Sequence, residues 1–332
     1  MSDKLRCCVI GCTGRWYQTI HHPSLRRLED RVRLVAGTSR DPERRERITG
    51  EMGFEAAYAD IDEMLDTERP DFVFLSVKHT ETAGMARRVL ARKIPVMMEK
   101  PVGRNPDDGR TVLRAAESAG VPTMVAFNRR FNPFLVRAKQ LAGERGGISH
   151  YVGEWMRHDV VAPRSMMGSA LHMIDAIRFL AGDVASFSGV GSAARYFDEA
   201  MVASAFHLTF ESGTVGTFSH NVRTGRAYER YRIHAENWTA TVSNPPPGRF
   251  DGRMFLEVES GDRRVERITL ESLKPEQRCA HYTQGFWQEH EHFVDCLLSG
   301  REPSPSVAEA IKSQQLAQDL LRAVAPPEQV DG

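Results

Sequence analysis

The chain has 332 residues, 41% hydrophobic and 27% charged, and its acidic and basic side chains balance to a formal charge of zero. That length accommodates two separate cores, and the neutral balance removes the electrostatic argument for nucleic acid or an anionic membrane as partner. No apolar run reaches membrane-spanning length, and the polar opening Met1-Ser2-Asp3-Lys4 does not read as a signal peptide. The five irregularly spaced cysteines suit neither a disulfide framework nor a metal cluster, so a reducing cytoplasm and no metal centre are expected.

In chain order, residues 5–10 read as a buried strand that runs straight into Gly11-Cys12-Thr13-Gly14-Arg15-Trp16. A helical pattern over 17–28 and a second strand over 32–36 complete a strand, glycine turn, helix and strand. This is the order of a dinucleotide-binding unit, in which the turn lets backbone approach a pyrophosphate at a helix N-terminus. The turn departs from G-x-G-x-x-G, because Thr13 and Trp16 stand at the second and third glycine positions and Gly14 comes one place late. The expected cofactor contacts here are Gly11, Thr13, Gly14, Arg15 and Trp16.

At the tip of the second strand an acidic residue would clamp the adenosine ribose; Thr38, Ser39 and Arg40 stand there instead. Ser39 and Arg40 suit a 2′-phosphate, which predicts NADP with NAD as the alternative, and Asp41 is expected to start the next helix. A further strand over 71–77 carries Ser76, Val77, Lys78 and His79 at its tip, also expected near cofactor. Helices over 82–91 and 107–119, the latter stopped by Gly120, and a strand over 122–127 continue the alternation. Such alternation implies a mostly parallel sheet wound on both faces.

Within that sheet, Ile94-Pro95-Val96-Met97-Met98-Glu99-Lys100-Pro101 is an apolar run ending in two opposite charges and a proline. Proline ends the ladder and restricts the residue before it, so Lys100 is held at the carboxyl rim, where ligands bind in open α/β sheets. A lysine there can donate or accept a proton if its surroundings lower its pKa.

The glycine turn, Glu99-Lys100-Pro101 and Phe127-Asn128-Arg129-Arg130-Phe131-Asn132-Pro133, in that order and spacing, resemble the glucose–fructose oxidoreductase / inositol dehydrogenase / MocA family. The resemblance implies an α/β protein with an N-terminal Rossmann domain, 1–126, its parallel sheet doubly wound. Residues 127–332 would form a C-terminal α+β domain on a large, open, mostly antiparallel sheet, for substrate binding and oligomerisation. It also implies that Lys100 lies between nicotinamide and substrate, that the Lys100–Pro101 bond is cis, and that Glu99 and Asn128 contact cofactor.

In the second half, helical pattern continues over 137–143, and 149–157 reads as a strand ending at Arg157. A helix over 166–181 buries Leu171, Ile174 and Ile177, with His172, Asp175 and Phe179 in a second stripe. Gly168 to Asp175 resembles the family's Asp-x-Gly-x-His-x-x-Asp segment, which implies that His172 shares proton handling with Lys100 and Asp175 contacts a substrate hydroxyl. Arg129 and Arg157 are further expected substrate contacts. Where the family places its catalytic aspartate this chain has Gly168, so either Lys100 and His172 suffice, or a group such as Asp159 or Arg164 reaches in, or the protein no longer oxidises sugar alcohols.

Strand-like runs over 186–193, 203–210, 214–222, 228–235, 239–242 and 255–260 make an antiparallel meander. Val215, Phe218 and Tyr231 are expected on its open face, as the surface of a homodimer or homotetramer. A last helix covers 307–324 before Pro326-Pro327, and His290 and His292, two apart, are poor joint metal ligands. The expectation is an NAD(P)-dependent oxidoreductase acting on a sugar, cyclitol or related small substrate. The alternatives are an imine or conjugated-group reductase, a redox-assisted lyase or hydrolase, and a non-catalytic NADP-binding regulatory protein.

Overall fold

Short apolar strands become a parallel sheet when helices cover both faces and no strand needs a polar side. Here β1 (Leu5–Ile10), β2 (Val32–Thr38), β3 (Ala56–Tyr58), β4 (Phe72–Leu75), β5 (Val96–Glu99) and β6 (Thr123–Ala126) pair in parallel, in the order β3-β2-β1-β4-β5-β6. The order reverses between β1 and β4, which creates the crevice where ligands bind in this topology. The computed structural model describes residues 4–158, 164–192, 202–246 and 253–324; Asp159, the Arg164 side chain and Pro326-Pro327 lie outside the described parts. The chain divides into two units: Met1–Phe127 with Phe286–Lys312, and Asn128–Gly285 with Ser313–Gly332.

In the first unit the crossovers are α1 (His22–Arg26), preceded by a π-turn over Tyr17–His21, then α2 (Pro42–Gly50), α3 (Ile61–Glu68), α4 (His79–Leu90) and α5 (Pro106–Ala119). Asp41 caps α2 as expected, accepting from the N–H groups of Glu43 and Arg44. Gly120, at φ +64°, ends α5 in the left-handed conformation that glycine adopts freely. The core contains Val9, Val73, Phe74, Val96, Met97 and Met124, all fully buried. Each such side chain contributes about 1.5–3 kcal/mol by leaving water.

The second unit contains α6 (Pro133–Glu144), β7 (His150–Met156), α7 (Arg164–Met167) and α8 (Leu171–Ala181). Next come β8 (Val184–Ser192), β9 (Ala203–Phe210), β10 (Val215–Asn221), β11 (Tyr228–Ala235), β12 (Trp238–Asn244), β13 (Phe255–Ser260), β14 (Arg263–Thr269) and α9 (Ala280–Thr283). The eight strands form one sheet in the order β14-β13-β12-β11-β7-β10-β9-β8, antiparallel throughout except for the β7–β10 pair.

Alternation sets its faces. Tyr151, Trp155, Phe206, Phe218, Tyr231 and Val242 all point to the buried face. This corrects the expected dimer surface: Phe218 and Tyr231 are buried, whereas Val215, three residues from Phe218, projects from the opposite face and is exposed. The helix expected over 166–181 is also two pieces, interrupted by a turn at 168–170, so Gly168 is not part of α8.

The remaining helices are α10 (Phe286–Ser299) and α11 (Val307–Val324). Among the described residues, no helix is long and apolar enough to cross a membrane. All five cysteines are free.

Candidate active site

The rim of the first sheet begins with a glycine. Gly11 follows β1 at φ +89°, and a Cβ there would lie 2.0 Å from the Ser76 carbonyl oxygen. Only glycine lets the ends of β1 and β4 approach this closely, and the Ser76 N–H donates to the Ile10 carbonyl at 2.9 Å. The Gly14 N–H closes the turn onto the Gly11 carbonyl at 3.1 Å. The chain then enters the π-turn, which absorbs one residue more than an α-helical turn. Tight glycine turn and following helical N–H groups fit a dinucleotide pyrophosphate.

Ser39 and Arg40 lie just beyond β2, and Arg40 is exposed. Arg45 donates to the carbonyls of both, at 2.9 and 3.0 Å, which shapes the loop without using the Arg40 guanidinium. The Asp41 carboxylate is committed to the α2 cap. Ser76 and Val77 are half-buried behind β4, and exposed Lys78 and His79 stand at the α4 N-terminus.

Lys100 stands on the same rim, at the end of β5, and its bond to Pro101 is cis. Beneath it the Glu99 carboxylate accepts from Trp16 Nε1 at 2.9 Å and from the Lys100 backbone N–H at 3.2 Å. His21 Nε2 makes a short contact to the same carboxylate. Burial opposes ionisation of Glu99, but His21, Lys100 and Trp16 together hold its pKa below the usual value. His21 Nδ1 in turn faces His290 Nε2 at 2.9 Å. Burial, and then His21, push the His290 pKa well down.

The second unit has a different polar centre. Asn128, fully buried, donates to the Gln284 carbonyl at 2.7 Å. Arg129 makes two bonds of 2.8 Å to Glu229, and Arg157 adds a third at 2.7 Å. Tyr231 and Asn244 also donate to Glu229, each at 2.9 Å. Burial alone would raise the Glu229 pKa, yet Arg129 and Arg157 carry it far below the carboxylate range. Arg130 grips Asp175 with two bonds of 2.8 Å, and Ser313 donates to the same carboxylate at 2.7 Å. His172 sits in the first turn of α8, half-buried.

The structure thus brings Gly11, Trp16, Ser76, Glu99 and Lys100 to one rim. It joins Arg129 to Arg157 through Glu229, and it pairs Asp175 with Arg130. Sequence reasoning missed His21 and Glu229. Glu229 was recoverable, because strand alternation places it in phase with Tyr231 and Ile233, where a carboxylate needs partners.

A parallel sheet with this strand order and a glycine at its first turn defines a dinucleotide-binding domain, here joined to a second unit on an antiparallel sheet. Residues 5–127 match the profile of an oxidoreductase family with an NAD-binding Rossmann fold, and residues 142–241 match the GFO/IDH/MocA C-terminal domain. The chain belongs to the Gfo/Idh/MocA family of oxidoreductases.

Inositol 2-dehydrogenase of Rhizobium meliloti is 25% identical over 316 residues, covering 90% of this chain and 91% of that protein. D-apiose dehydrogenase of Paraburkholderia graminis is 24% identical over 357 residues, covering 95% and 86%. Among solved structures, a dehydrogenase from Clostridium difficile shares the fold with a TM-score of 0.83 at 20% identity, over 97% of this chain and all of that one. Levoglucosan dehydrogenase in complex with NADH and levoglucosan has a TM-score of 0.81 at 18% identity, over 97% of each chain.

Proposed function

We propose that the protein transfers a hydride between nicotinamide and a secondary-alcohol carbon of a small polyhydroxylated molecule, a sugar or cyclitol. The observation that carries this reading is Lys100 on the rim of β5, anchored by Pro101 and by a Glu99 that Trp16 and His21 hold in place. The named activities of the relatives, inositol and apiose dehydrogenases, point to the same substrate class.

When bound, nicotinamide supplies the hydride acceptor or donor. Lys100 takes the hydroxyl proton during oxidation and returns it during reduction; such a group contributes about 10²–10⁴-fold in rate. His172 is the second proton-handling group implied by the family resemblance. Asp175 and Arg129 act through the ion pairs that occupy them, positioning the walls of the substrate region rather than holding a hydroxyl directly. The cofactor is NADP, because Asp41 is spent on a helix cap and the exposed Arg40 guanidinium remains for a 2′-phosphate. Five free cysteines suit a cytoplasmic setting, and the exposed sheet face around Val215 is the surface for a second copy.

The test is the reduced-nicotinamide absorbance of the protein mixed with NADP and a panel of cyclitols, aldoses and their lactones. Net reduction with a polyol or sugar is expected. Cofactor binding without reduction of any panel member, or turnover without net redox change, would replace this reading.

A further inference from the structure

We propose that His21, Glu289 and His290 form a binding site for one divalent transition-metal ion, zinc by its donor set, inside the first unit. The three side chains are at most 1% exposed, and one ligand atom from each lies within 4.8 Å of the others. Nothing in the hydride chemistry above calls for this cluster.

The sequence places the donors on two elements. His21 ends the π-turn behind the glycine loop, and Glu289 with His290 lies one turn into α10, 269 residues away from His21 in the case of His290. Two imidazoles and a carboxylate are a first-row transition-metal donor set, whereas calcium and magnesium prefer oxygen alone.

The geometry suits a cation. His21 Nδ1 and His290 Nε2 converge at 2.9 Å. Two nitrogens so spaced would subtend about 90° at an ion roughly 2.05 Å from each, so the rings part by about 0.4 Å to reach the tetrahedral angle zinc prefers. Glu289 supplies the third donor and one negative charge. Loading displaces the hydrogen bond between the two neutral rings, the His290 ring keeping one proton, on Nδ1, while Nε2 turns its lone pair to the ion.

A second feature of metal sites is present. The other nitrogen of His21, Nε2, meets the Glu99 carboxylate, which fixes Nε2 as the donor and turns the Nδ1 lone pair toward His290. Ligating histidines commonly have such a carboxylate behind them. Aromatic rings wall the site: Phe74 lies 4.6 Å from the His21 ring centroid, Phe286 6.0 Å and Trp16 6.4 Å. The ion would staple α10 to the glycine-loop helix and steady Glu99 beneath Lys100.

The experiment uses the full-length, untagged protein after chelator treatment. Zinc is titrated in competition with a chromophoric chelator, and cobalt(II) is added separately to read d–d absorption. Wild type is expected to bind one equivalent per chain and to give cobalt bands. Glu289→Gln and His290→Gln should each weaken binding by about tenfold or more. His292→Ala, which removes the nearby His292–Cys296 pair, should bind as wild type does. Folded wild type without cobalt bands would overturn the proposal, leaving a hydrogen-bonded histidine pair. Equal affinity in a folded Glu289→Gln protein, or loss of binding in His292→Ala, would overturn it as well. Should His290→Gln fail to fold, the near-isosteric Glu289→Gln and the wild-type cobalt spectrum decide.

Discussion

A half-buried glutamate in the first unit and a buried one in the second are treated differently. Glu229 in the second unit has two arginines, a tyrosine and an asparagine on its carboxylate, and no exposure at all. Glu99 in the first unit sits at the end of a strand with its side chain 13% exposed, held by a histidine, an indole and a backbone N–H. A carboxylate surrounded by two guanidinium groups has its charge fully used and serves the fold. One held by weaker donors beside a lysine still shapes the electrostatics of the rim on which that lysine stands. Burial of a charge therefore does not by itself mark a candidate site; what remains open beside it is the better guide.

The comparison breaks most readily at Glu229. Replacing it with glutamine strands Arg129 and Arg157 in the interior without their counter-charge, and breaking a buried pair in this way costs about 3–5 kcal/mol. Urea denaturation of Glu229→Gln should show a loss of that size. A loss below about 1 kcal/mol would mean that the cluster is not the anchor described.

A smaller effect follows from His220, also in the second unit. It is stacked on Trp155 at 4.9 Å between centroids and bonded to Ser165 Oγ at 2.8 Å. Burial, and then Arg157, lower its pKa from 6.5 to about 4. Above the unfolded value neither state is protonated and no penalty arises. As pH falls from 6.5 toward 4, the unfolded chain takes up a proton that the folded chain refuses, so stability declines through that window. The full loss is on the order of 3 kcal/mol. Denaturation of wild type and His220→Gln across this range should give a steeper decline for wild type; parallel curves would remove His220 from the account.

The smallest effect belongs to the first unit, on its exposed loop. Arg40→Ala should weaken NADPH at least about tenfold, from the loss of roughly 1.5–3 kcal/mol in a charge-assisted contact, with NADH unchanged. Fluorescence titration of both cofactors checks it. Equal affinity of wild type for the two would sink the 2′-phosphate role.

How far the molecule was legible in its sequence follows the same physics. Runs such as Phe72–Leu75 and Val96–Glu99 are buried on both faces, so composition alone exposes them. The Asp41 cap and the Gly120 stop are local events between neighbours in sequence. β14 escaped notice because Arg263–Thr269 is nearly all charged and polar, as an edge strand can be. Phe218 and Tyr231 were expected on one open face with Val215, although Val215 and Phe218, three residues apart on one strand, point to opposite sides; the side that Phe218 shares with Tyr231 is the covered one. The interrupted helix at 168–170 and the π-turn are departures from ideal geometry that periodicity averages away.

The candidate site was legible where a motif carried it, at Gly11 and Lys100. It was opaque where distant segments meet: His21 with His290, or Arg129 with Glu229, 100 residues apart. Asp175 illustrates the same limit, since the family motif pointed to a substrate hydroxyl while Arg130, 45 residues earlier, holds the carboxylate.

The account depends on Lys100 acting as the proton-transfer group at the rim that Glu99 supports. The direct measurement is kcat/KM and cofactor affinity of Lys100→Met beside wild type, with the substrate found in the panel. The change keeps most of the aliphatic stem and removes the ammonium. The expected result is unchanged folding and cofactor affinity with turnover reduced about 10²–10⁴-fold. A folded Lys100→Met protein that keeps more than about a tenth of the wild-type rate would contradict the assignment.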